Sequence, residues 1–104
     1  MREWMVTASS GSRSWPNHEA WLWTQEELLK VLARPPGALG VAGWGRLGEL
    51  GAVFSVEAPT LAEAAARGVE LFEAALEKIG HPGAERLEVE PVEPEGAEEQ
   101  GCQP

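Results

Sequence analysis

The stretch between Pro59 and Pro82 constrains this chain more than any other. Thr60-Leu61-Ala62-Glu63 is a capping box: the threonine side chain can take the backbone N–H of Glu63, and the glutamate can reach back. Leu61, Ala65, Gly68, Phe72, Ala75, Leu76 and Ile79 then recur at spacings of three and four, so they share one helical face. Gly80 is placed for a left-handed cap, and Pro82 prevents continuation. A helix with one apolar face needs something to cover it. Gly68, which costs about 1 kcal/mol against Ala in a helix interior, predicts a close approach to that neighbour.

The neighbour is read from alternation. Ala52, Phe54 and Val56 point one way, and Val53, Ser55 and Glu57 the other, which is strand character. Glu85–Glu90 alternates likewise, with Leu87 and Val89 inward and Glu88 and Glu90 outward. Residues 3–8 and 39–46 read as two further strands, the latter joined to 52–58 through a glycine-bearing loop at 47–51. A first helix is expected after Thr24, since Thr24-Gln25-Glu26-Glu27 repeats the capping box and Trp23 and Leu28 sit where a hydrophobic staple would close. Arg34-Pro35-Pro36-Gly37 ends it.

The order is β-α-β-β-α-β, which resembles the ferredoxin-like, or split β-α-β, arrangement. The resemblance implies an α+β domain over residues 1–90, a four-stranded antiparallel sheet, and both helices on one face. Residues 91–104 lack a core-forming pattern and read as a disordered acidic tail.

Charge narrows the function. The formal net charge is −9, but residues 1–46 carry five bases and four acids, whereas residues 47–104 carry three bases and thirteen acids. Domains of this fold that bind RNA stack bases on aromatics of the open sheet face and neutralise phosphate. Here Phe54 falls with the inward set, while Glu57, Glu88 and Glu90 fall outward. That argues against nucleic acid and for a basic protein partner drawn by complementary charge. The strand at 52–58 followed by its capped helix resembles antitoxin domains with a partial double-stranded-RNA-binding-like fold. The reading is therefore a non-enzymatic interaction module, of the inhibitor, immunity-protein or antitoxin type, or a self-associating subunit.

The alternative is a small ligand-binding protein or enzyme. Trp15, Trp21 and Trp23 surround Asn17, His18 and Glu19, and a loop over residues 15–23 with these side chains would make an aromatic pocket rim, with His18 as its polar group. Trp44 is a further aromatic candidate. The competing expectation is that the tryptophans simply supply a small domain with apolar area. Ser9, Ser10, Ser12 and Ser14 are expected in a loop and lack the strand–turn–helix elbow of a nucleophile. The glycines at 40–51 lack the Lys-Ser/Thr ending of a phosphate loop.

His18, His81 and Cys102 have no metal-ligand spacing, and no cofactor motif is present. His81 is expected to serve the end of the second helix. A single cysteine gives no internal disulfide, and neither a leader-like nor a membrane-spanning apolar run is evident, so a cytoplasmic protein is expected.

Overall fold

A computed structural model describes residues 2–12, 14–34, 37–43 and 48–92. The elements run β1 (Arg2–Ser12), α1 (His18–Ala33), β2 (Leu39–Gly43), β3 (Glu49–Ala58), α2 (Leu61–Lys78) and β4 (Arg86–Pro91). The four strands form one antiparallel sheet in the order β2-β3-β1-β4. β1 and β3 are central, so each helix connects two parallel strands that have a third strand between them.

Alternation decides which side of the sheet is covered. Trp4, Val6 and Ala8 of β1 lie opposite Val56, Phe54 and Ala52 of β3, and all six are buried. On the other flank Val6 and Ala8 face Val89 and Leu87 of β4, which are half-buried. The helices lie on this row and touch each other. Leu28 and Leu32 of α1 and Ala64, Phe72, Ala75 and Leu76 of α2 complete a single core. The Trp4 indole N–H donates to Ala58 O at 2.9 Å, so the polar atom of this buried ring is satisfied.

α2 follows its sequence closely. Thr60 Oγ1 accepts from the Glu63 N–H at 3.2 Å. At the other end Gly80 has φ +79°, its N–H donates to Glu77 O, and the His81 N–H donates to Leu76 O, the paired bonds of a Schellman cap. Leu61 is the exception. It lies 53% exposed in the first turn, and Ala64 opens the buried stripe instead. A Cβ on Gly68 would stand 3.0 and 3.2 Å from the two γ-carbons of Val6, the close approach that its use mid-helix requires.

Three boundaries differ from the sequence reading. α1 begins at His18, not after Thr24: Asn17 is extended, and its Oδ1 accepts the Ala20 N–H at 2.8 Å. Thr24 is buried inside the helix, its hydroxyl donating to Ala20 O at 2.8 Å. The helix extends upstream because Trp21, Thr24, Gln25, Leu28 and Leu32 form one buried stripe at helical spacing. Consequently Trp21 and Trp23 belong to a helix, and the anticipated 15–23 loop is confined to the residues before His18.

β1 continues through Ser9, Ser10, Gly11 and Ser12, and β3 begins at Glu49. Ser9 and Ser10 tolerate strand burial because their hydroxyls bond across to Glu49 Oε1 (3.1 Å) and Leu50 O (3.3 Å). Ser9, Ser10 and Ser12 are therefore in a strand, not a loop. β2 carries a register shift between Leu39 and Ala42, and residues 44–46 of the anticipated strand lie outside the described residues. Trp44 lies outside the described residues, as does the tail from 93 onward. Pro91 closes β4, where an edge strand tolerates a missing donor, and the Val92 N–H donates to Glu3 O at 3.0 Å. No described helix is long and apolar enough to cross a membrane.

The Gly68 contact yields a test by double substitution. Gly68→Ala should lower stability by about 1 kcal/mol, overpacking against Val6 outweighing the gain in helix propensity. In a Val6→Ala background the same change should instead raise stability by about 1 kcal/mol. Equal effects in both backgrounds, measured by urea unfolding, would show that the contact is not limiting.

Candidate functional site

Two regions collect the side chains singled out in the sequence. The first is at the β1–α1 junction. Pro16 and the extended Asn17 turn the chain into α1, which sets Trp15 before the helix and His18 and Trp21 one turn apart on it. Trp15, Asn17, His18, Trp21 and Gly48 line a cleft of about 310 Å³. The imidazole of His18 lies against Trp21, with ring centroids 5.2 Å apart and planes tilted by 47°. His81, brought in by the end of α2, packs on Trp15 at 5.2 Å and 41°.

Trp23 does not join them. Residues two apart on a helix point away from each other, and Trp23 is 64% exposed on the far side from Trp21.

Two walls of the cleft are anchored by hydrogen bonds. Trp15 Nε1 donates to Gly48 O and Trp21 Nε1 to Glu49 O, each at 2.9 Å. Ser10 Oγ donates to Leu50 O, and Gln25 Nε2 donates to Gly51 O at 2.6 Å while Gln25 Oε1 accepts the Gly51 N–H at 3.1 Å. Four successive carbonyls at the start of β3 are thus bonded by side chains. Among the described residues the last β2–β3 pair on this side is Gly43 with Ala52, and next to it the Gln25 amide bonds both backbone groups of Gly51. These residues were missed in the sequence reading because Gln25, Ser10 and Gly51 carry no apolar signal. His81 was assigned to the helix end, and its ring contact with Trp15 depends on tertiary placement.

The second region is the uncovered sheet face. Glu57 is exposed directly opposite Glu3, Glu88 is exposed opposite Thr7, and Glu90 is exposed opposite Met5. Glu3 escaped notice because the register of β1 was needed to place it. Met5, 37% exposed, and Val53, half-buried, give this face a small apolar centre. None of the four glutamates has an ion-pair partner among the described residues; the Lys30–Glu27 pair at 3.3 Å is on α1. Arg86, opposite Ser9, is on the same face toward its other end.

A larger depression of about 400 Å³ lies along β3 near Leu39 and Ser55. Glu57, Glu70 and Arg67 share its walls, and it gathers none of the tryptophans.

The Ser9 hydroxyl is hydrogen-bonded to Glu49, but the residue is only 1% exposed and out of reach of a substrate. Among the described residues no group of three His, Cys or Glu side chains is placed to hold a metal ion. The chain matches no protein-family model, no curated protein and no solved structure.

The anchoring of β3 is open to a direct test. Gln25→Leu keeps the size of the side chain but leaves the buried N–H and C=O of Gly51 unpaired. Stability should fall by about 2–4 kcal/mol, since each stranded buried backbone group costs about 1–3 kcal/mol. A loss below about 0.5 kcal/mol in denaturant titration would mean that water replaces the amide.

Proposed function

We propose that this protein is a small, non-enzymatic interaction module that docks a basic protein partner on its open sheet face. An inhibitor, an immunity protein or an antitoxin would work in this way. We assign the fold to the ferredoxin-like class, a reading supported by central β1 and β3, edge strands β2 and β4, and a shared helical layer. A cytoplasmic location is the companion reading, supported by a single cysteine in the sequence.

The observation that carries the proposal is the pairing of Glu3 with Glu57. Like charges directly opposite each other on neighbouring strands are destabilising. Glu90, diagonal to Glu3 on the other flank, adds a third carboxylate. A fold gains nothing from this repulsion, whereas a partner bearing lysine or arginine would relieve it on docking. The net charge of −9 would speed the encounter with such a partner and repel nucleic acid.

A second reading, that of a small-ligand-binding protein, is favoured by the gathering of Trp15, His18 and Trp21 around one cleft.

Substituting Glu57 separates docking from folding. Glu57→Lys should raise stability by about 0.2–1 kcal/mol by turning a repulsive cross-strand pair into an attractive one. The same variant should bind a lysine-rich peptide at least about tenfold more weakly than the wild type in calorimetric titration at low salt. Unchanged peptide binding would overturn the proposal, as would a stability loss showing that Glu57 serves the fold.

A further inference from the structure

We infer that the Trp15–Trp21 cleft is a binding site for a planar aromatic ring, an inference that rests on the small-ligand reading. The argument starts from what the walls offer. Both indole N–H groups are already used, on Gly48 O and Glu49 O. The two rings are therefore fixed in orientation and offer the cleft no free donor, Trp15 as a half-buried wall and Trp21 as a buried one, 8% exposed. Each ring also rests against an imidazole, Trp15 on His81 and Trp21 on His18, so neither is free to rotate and fill the space.

Gly48 closes the lining without a side chain. The cavity, about 310 Å³, is at the small end of the range for small-molecule sites. Such a space holds a single or fused ring.

Flat, immobile aromatic walls favour a guest that can stack or meet them edge-on. A saturated ring of equal size would bury similar area but lacks the complementary quadrupole. Among the described lining residues none is a glutamate, lysine or arginine. Polar recognition falls to Asn17 and His18 at the exposed rim. The cleft is also separate from the glutamate-bearing sheet face. Its residues are at the β1–α1 junction and the start of β3, whereas Glu3 and Glu57 pair at the other end of those strands.

The test compares 4-methylphenol with 4-methylcyclohexanol, its saturated counterpart, by NMR of the tryptophan indole N–H signals. 4-Methylphenol should shift the Trp15 and Trp21 signals saturably and leave that of Trp4 in place. The saturated alcohol should bind at least about tenfold more weakly. Trp15→Leu should abolish the shift at Trp21, and Trp23→Leu should preserve it.

Equal affinity for the two probes would overturn the aromatic preference and leave the small-ligand reading standing. Failure of both probes to shift either signal would remove both. Should Trp15→Leu fail to fold, the comparison of probes on the wild-type chain still decides.

Discussion

Most of this structure depends on how the first residues of β3 are held. β3 is central, and buried backbone groups without partners are costly. Trp15, Trp21, Ser10 and Gln25 supply side-chain donors to the carbonyls of Gly48, Glu49, Leu50 and Gly51 in turn. The helix, the strand and the junction between them are thereby fixed to one another by polar contacts as well as by apolar packing.

Both candidate surfaces follow from that arrangement. Drawing two indole N–H groups toward β3 fixes Trp15 and Trp21 beside the cleft. Drawing α1 and α2 onto the Val6–Phe54 row leaves the opposite row bare. On that bare row strict alternation places Glu3, Glu57, Glu88 and Glu90 together, although no two of them are neighbours in sequence.

The sequence was most legible where local and tertiary demands agree. α2 has a threonine cap and a glycine stop where the pattern puts them, and its buried stripe follows the pattern from Gly68 onward but opens at Ala64 in place of Leu61. The inward and outward sets of β3 and β4 follow from period-two alternation. α1 was misread for a physical reason: Thr24-x-x-Glu27 is a valid capping pattern, but its threonine is used to bond Ala20 O within the helix. The stripe that decides the helix includes Thr24 and Gln25, whose polar atoms are satisfied by Ala20 O in α1 and by Gly51 in β3. Ser9, Ser10 and Gly51 have low strand propensity and become strand through the same cross-contacts, an override of local preference by tertiary structure. The pairing of His81 with Trp15 joins the two helix ends and leaves no local trace at all.

The amide pairing between Gln25 and Gly51 also bears on how the chain assembles. The hairpin of β2 and β3 carries a register shift between Leu39 and Ala42. A two-stranded hairpin is marginal in isolation. Gly51 gains its Gln25 partners only when α1 is in place, and Gln25 gains its own only once β3 is extended. The two therefore order together, as one cooperative folding unit, and local opening of this corner releases the cleft and the strand in a single event.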